Sequence, residues 1–120
     1  MMSPLEVPQI TPEEFADRLK TDSPLVILDV REPAELHAAA IKDRRVFNLP
    51  MSQLAAIWGG EIPAAIQDRQ TEIIVLCHHG ERSSQMTAFL KRQGWKNVRN
   101  LTGGIDAYAL QVDPSVGIYR

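Results

Sequence analysis

The sequence predicts an α/β fold, an open, largely parallel sheet flanked by helices on both faces. Three observations carry this expectation. The runs Leu25-Val26-Ile27-Leu28 and Ile73-Ile74-Val75-Leu76 are continuously apolar and too short for ordinary helices, as expected of strands covered on both faces. Strand-like and helix-like stretches alternate along the chain, which favours parallel strands joined by crossovers. A length of 120 residues, 44% hydrophobic and 23% charged, suits a single folded domain. The chain is accordingly expected to be one domain over 1–120, with its core at about 9–110 and an irregular tail over 111–120.

Thr11-Pro12-Glu13-Glu14 is a helix start, with Thr11 at the N-cap, Pro12 at the first helical position and Glu14 placed to complete a capping box; Phe15 and Leu19 then share a face. After the first apolar run, Asp29-Val30-Arg31-Glu32 restores polarity, Glu32 to Ala40 is expected to be helical, and Val46-Phe47-Asn48-Leu49 to form a short strand stopped by Pro50. Ser52 caps a predicted helix carrying Leu54, Ile57 and Trp58. Gly59-Gly60 breaks it before a second helical stretch with Ile62, Ala65 and Ile66. The second apolar run, preceded by Glu72, opens into Cys77-His78-His79-Gly80-Glu81-Arg82-Ser83-Ser84. A helix is expected from Ser83 or Ser84 to about Gln93, with Met86, Phe89 and Leu90 inward and Gly94 as its stop. A strand at Asn97 to Leu101 and a short helix at Ile105 to Leu110 complete the pattern, and Asp113 to Arg120 reads as irregular.

Formal net charge is -2, and the nearest approach to a basic run is Lys42-Asp43-Arg44-Arg45, so no broad phosphate-binding footprint is expected and nucleic acid is not an expected partner. Met1 to Gln9 has neither a basic leader nor an apolar core, and no window approaches the ~20 apolar residues that span a bilayer; a cytoplasmic setting without membrane contact is the expectation. The single cysteine cannot form an internal disulfide, and a reducing compartment keeps its thiol available.

Cys77 is the first residue after a predicted buried strand, at the carboxyl end where ligands collect in open parallel sheets. A cysteine in that position is by itself more often an inert core residue than a nucleophile. Here a short polar loop follows, then a helix start. If the loop wraps the sulfur, its amides and the positive end of the helix dipole, together with Arg82, favour thiolate over thiol. His78 and His79 invite a metal reading, but zinc sites usually want four ligands, and only His37 remains, with no second cysteine; no metal site is expected, and the histidines are assigned to the pocket rim or, for either one, simply to solvent. Asp29 and Arg31 are expected near the site as a structural ion pair. Gly103-Gly104 fits either a close approach of backbone to a ligand or a tight turn before a helix, and Trp58 and Trp95 read as packing residues.

The loop Cys77-His78-His79-Gly80-Glu81-Arg82-Ser83 resembles the active-site loop of the rhodanese family. Ile10-Thr11-Pro12-Glu13-Glu14-Phe15, Leu28-Asp29-Val30-Arg31-Glu32, Asn48-Leu49-Pro50 and Leu101-Thr102-Gly103-Gly104-Ile105-Asp106-Ala107-Tyr108 resemble segments that the family has in the same order, over roughly residues 9 to 110. The resemblance implies a sulfurtransferase of the single-domain thiosulfate type. Cys77 would accept a sulfane sulfur from a donor such as thiosulfate, hold it as a persulfide and pass it to cyanide or a thiol, including one borne by a protein. Residues His78, His79, Gly80, Glu81 and Arg82 would supply the amide cradle, with Ser83 completing the binding set and the Arg82 side chain helping to bind an anionic donor. No cofactor is implied. The chain departs from the family's Gly-His-Ile-Pro-Gly-Ala turn, reading His37-Ala38-Ala39-Ala40-Ile41-Lys42-Asp43-Arg44-Arg45, so a longer, more basic wall is expected there.

Two other functions fit parts of the pattern. A cysteine-dependent phosphatase also uses a thiolate and an arginine around an amide cradle, on a fold shared with cell-cycle phosphatases, but with five residues between them where this chain has four. A non-enzymatic persulfide carrier or protein-recognition module is the other; the presence of Cys77 argues against pure recognition.

Overall fold

The computed structural model describes residues 7–53 and 60–117. Five parallel strands form one open sheet: β1 (Gln9–Ile10), β2 (Leu25–Asp29), β3 (Val46–Asn48), β4 (Glu72–Leu76) and β5 (Val98–Leu101), in the order β1-β5-β4-β2-β3. Helices α1 (Pro12–Leu19), α2 (Glu81–Arg92) and α3 (Gly104–Gln111) cover it. The predicted fold class is borne out. The two-residue β1 was not expected; it pairs Gln9 with Asn100 and Ile10 with Leu101.

Both predicted buried strands lie side by side at the centre, with Ile27 opposite Ile74 and Asp29 opposite Leu76. Their alternate residues feed two cores. Ile73, Val75 and Cys77 pack with Met86, Phe89 and Leu90 of α2, while Ile74 and Leu76 join Ile10, Phe15 of α1 and Ile105 and Tyr108 of α3 on the other face. Each buried aliphatic side chain contributes about 1.5–3 kcal/mol, so the two-sided burial explains why these strands are apolar throughout. The N-terminus of α1 is the expected capping box, Thr11 Oγ1 accepting from the Glu14 amide and Glu14 accepting from the Thr11 amide. Trp95 is a packing residue, fully buried with its indole N–H donating to the Ile66 carbonyl at 2.8 Å.

Several local expectations change. Instead of a helix over Glu32 to Ala40 there is a 3₁₀ turn at Pro33–His37, because the Ala40 amide donates to the Val116 carbonyl and so leaves the helical ladder. That contact also orders part of the tail, where Pro114–Val116 forms another 3₁₀ turn. The stretch around Ile62 to Ile66 is a 3₁₀ turn at Ala64–Ile66. Ser52 lies in a 3₁₀ turn at Met51–Gln53, and the predicted helix through Leu54, Ile57 and Trp58 falls outside the described residues. Helix α2 begins two to three residues early, at Glu81. Its N-cap is Gly80, whose φ of 102° is a left-handed conformation that glycine adopts without strain. The basic residues of the 37–45 segment end at the amino-terminal edge of the sheet: Arg45 precedes β3 and donates to the Leu19, Thr21 and Ser23 carbonyls at 2.9–3.0 Å, closing the end of α1. Among the described residues no helix is long and apolar enough to cross a membrane.

The strand order fixes where a ligand can sit. From β2 the chain moves outward to β3, whereas from β4 it moves the opposite way to β5. The loops leaving β2 and β4 therefore part company, opening a crevice above the carboxyl ends of two adjacent central strands. Cys77 directly follows β4 and Arg31 lies two residues past the end of β2, both buried at these carboxyl ends.

Candidate active site

Cys77 follows β4 directly and its side chain continues that strand's alternation, so the residue is almost wholly buried, at 1% exposure. The Cys77 and His78 carbonyls turn outward, while the amides of Gly80 in the loop and Ser83 in the first turn of α2 turn inward. Outside, the Cys77 carbonyl accepts from Ile105 N–H at 2.9 Å and the His78 carbonyl from Asp106 N–H at 3.1 Å, so the open first turn of α3 takes up the loop's acceptors. Gly104 is required at this approach: with φ of 68°, any Cβ would run into the Cys77 and His78 carbonyls. Inside, Sγ receives the Gly80 amide at 3.1 Å, the Ser83 amide at 3.4 Å and lies 3.3 Å from the Ser83 hydroxyl. Donors converging on sulfur at the start of a twelve-residue helix stabilise negative charge there.

Ser83, fully buried, was expected to help start the helix, and Gly80 does that instead. Its hydroxyl is shared between Cys77 Sγ and the Asn100 side-chain oxygen. One proton cannot serve both. With the sulfur ionised, the hydroxyl donates to it; with the sulfur protonated, S–H can donate to Oγ while the hydroxyl turns to Asn100. Asn100 in turn donates to Gln9 Oε1 at 3.1 Å, and Thr102 donates to the same oxygen at 2.9 Å. Sequence reading missed Asn100. The available signal was an amide between Val98 and Leu101 in a strand otherwise bound for the core, since a buried polar group needs a partner.

Of the predicted binding residues, Gly80 and Ser83 touch the sulfur. Glu81 is exposed at the first turn of α2. His78 and His79 stack, ring centroids 3.7 Å apart, and both face Asp106, their Nε2 atoms 3.9 and 3.6 Å from its carboxylate oxygens. Burial pushes His78 below its ordinary value, reinforced by His79 and opposed by Asp106 and Glu35. The sequence argument against a metal counted only His37 as a third ligand. The fold supplies Asp106 instead, and the three donor atoms lie within 4.8 Å of one another, a set that could hold a divalent ion only with water or a ligand completing its shell. His37 stands apart, exposed at the end of the Pro33–His37 turn.

Arg82 reaches across the crevice to Glu35, donating from Nη1 and Nη2 at 2.7 and 2.8 Å. Glu35 was not singled out in the sequence, where its turn read as ordinary helix. Asp29 and Arg31 form the expected pair: both are buried, joined at 2.6 Å, and Asp29 also accepts from the Arg31 backbone amide. Asn48 ties this loop to β3 by donating to the Asp29 and Arg31 carbonyls, each at 2.9 Å.

The parallel α/β sheet thus carries a buried cysteine, with two amides and a hydroxyl within 3.4 Å of its sulfur, at a strand's carboxyl end. The model of the rhodanese-like domain matches residues 11–111. The chain belongs to the rhodanese-like domain family. It is 38% identical over 103 residues to a sulfurtransferase of Allochromatium vinosum, covering 86% of this chain and 89% of that one. It is 41% identical over 93 residues to rhodanese-like/PpiC domain-containing protein 12, chloroplastic, of Arabidopsis thaliana; this covers 78% of this chain but only 30% of the plant protein. Among solved structures, a rhodanese-related protein from Thermoplasma volcanium superposes with a TM-score of 0.70 at 30% identity, over 88% of this chain and 93% of the other.

Proposed function

We propose that this protein transfers sulfane sulfur through a persulfide on Cys77, taking it from a donor such as thiosulfate and passing it to cyanide or a thiol, including one carried by a protein. The Cys77 thiolate attacks the outer sulfur of thiosulfate. The donor's S–S bond breaks, sulfite leaves with the electron pair, and the negative charge moves to the outer sulfur of the new persulfide. Attack on that sulfur by cyanide gives thiocyanate, or by a thiolate a new persulfide, and returns Cys77 as thiolate. A reducing cytoplasm, which keeps the lone thiol free, is the setting this reading calls for.

The ring of donors around Sγ carries the reading. Two amides and a hydroxyl already lie 3.1–3.4 Å from one atom, a spacing that suits a single sulfur. The three outer oxygens of a phosphoryl group would crowd the same backbone, and preorganised donors help only where they fit the charge that develops. The shorter loop thus favours sulfur over phosphorus chemistry. Cys77→Ser should abolish thiosulfate:cyanide transfer while leaving the melting temperature close to wild type, and the wild type should hydrolyse aryl phosphates no faster than this variant. Cys77-dependent phosphate release without sulfur transfer would reverse the assignment.

A further inference from the structure

Arg82 is the cation an anionic donor would meet, and its guanidinium is already engaged by both oxygens of Glu35. Such a two-bond fork is strong and directional. Glu35 is itself held from the β2 side. The Glu32 amide donates to Oε2 at 2.9 Å, and Nη1 of Arg31, anchored on buried Asp29, reaches the Glu35 carbonyl at 3.4 Å. The carboxylate is therefore fixed within the segment that follows β2. Beside the loop that follows Cys77, Asp106 lies 3.9 Å from His78 Nε2, and Arg82, at the start of α2, holds Glu35. Apart from the imidazoles, these side chains make one cation against two anions.

We propose that Glu35 is a specificity-determining residue: by holding Arg82 and leaving the mouth net negative, it discriminates against dianionic donors such as thiosulfate and favours sulfane-sulfur donors of lower charge. This rests on the persulfide reading above and adds the class of donor to it. Thiosulfate still loads the site, but against repulsion.

Two donors with the same reacting bond test it. In thiosulfate and in benzenethiosulfonate the Cys77 thiolate attacks the outer sulfur, the S–S bond breaks, and sulfite or benzenesulfinate leaves with the electron pair; the donors differ by one negative charge. Glu35→Gln removes the carboxylate's charge while keeping an oxygen for the Glu32 amide. Electrostatic energy scales with ligand charge, so kcat/KM should rise on the order of tenfold for thiosulfate and about threefold for benzenethiosulfonate. The wild type offers a second measurement that needs no substitution. Added salt should raise its thiosulfate-to-benzenethiosulfonate ratio, because screening relieves the dianion more, and in Glu35→Gln the ratio should stay level or fall. Loading by both donors with a ratio unmoved by Glu35→Gln, or a wild-type ratio that falls with salt, would overturn the role of Glu35 and leave the persulfide intact. Failure of both donors to add sulfur to Cys77 would instead overturn the persulfide reading, and this inference with it.

Discussion

Two arginine–carboxylate pairs flank the same crevice and do different work. Arg31 and Asp29 join the last residue of β2 to the segment just after it, with side chains 0% and 2% exposed. Arg82, in the first turn of α2, and Glu35, in the Pro33–His37 turn, are 47 residues apart and remain 36% and 24% exposed. The chemistry is identical, so burial decides the role. A fully buried pair cannot change partners, because losing either member strands a charge away from water. At the rim, water and incoming anions compete for the same guanidinium, and the pair can be exchanged for a ligand. One pair shapes the segment after β2; in the proposed function the other meets the incoming donor.

The largest effect expected from this contrast is on stability. Arg31→Ala leaves Asp29 buried without its guanidinium and should cost about 3–5 kcal/mol, lowering the melting temperature by more than about 10 °C. A loss below about 1 kcal/mol in urea or thermal unfolding would break the comparison on its buried side. At the rim the order reverses. Arg82→Leu should cost only about 1 kcal/mol or less in stability, yet kcat/KM for thiosulfate should fall on the order of tenfold or more, since Glu35 then faces the donor without its cation. An unchanged apparent affinity for thiosulfate would remove Arg82 from the site. The smallest effect concerns His78. Its folded value lies below the ordinary 6.5, burial being the largest cause, so as pH falls the unfolded chain takes up the proton first. The wild type should therefore lose stability relative to His78→Asn as pH drops through about 6.5, and the difference should level off once the folded state is protonated as well. Because the imidazole remains partly exposed, the gap should amount to about a few tenths of a kcal/mol. Melting temperatures measured across that range check it, and a gap independent of pH would show that burial does not govern His78.

The central strands, the α1 capping box and the position of Cys77 were legible because each is a local pattern: an unbroken apolar run, a capping sequence, a polar loop directly after a strand. What was not legible depends on where distant segments meet. Glu35 looked like one more residue of a helix until the crossover brought it opposite Arg82, and Asp106 joined the histidines only because the first turn of α3 binds the loop carbonyls. The helix start was misplaced for a physical reason. Ser83 and Ser84 look like N-caps in sequence, but a left-handed Gly80 caps α2 and frees the Ser83 hydroxyl for the sulfur. The basic 42–45 segment, expected along the site wall, instead leads into the amino end of β3, where Arg45 closes α1.

The account stands on sulfur residing covalently on Cys77, and intact-protein mass spectrometry tests that directly. After thiosulfate treatment and removal of excess reagent, the wild-type chain should gain the mass of one sulfur atom. Cyanide should remove it with one equivalent of thiocyanate released, and Cys77→Ser should show neither change. A wild-type chain that never gains the sulfur, or a Cys77→Ser chain that gains it equally, would contradict the account.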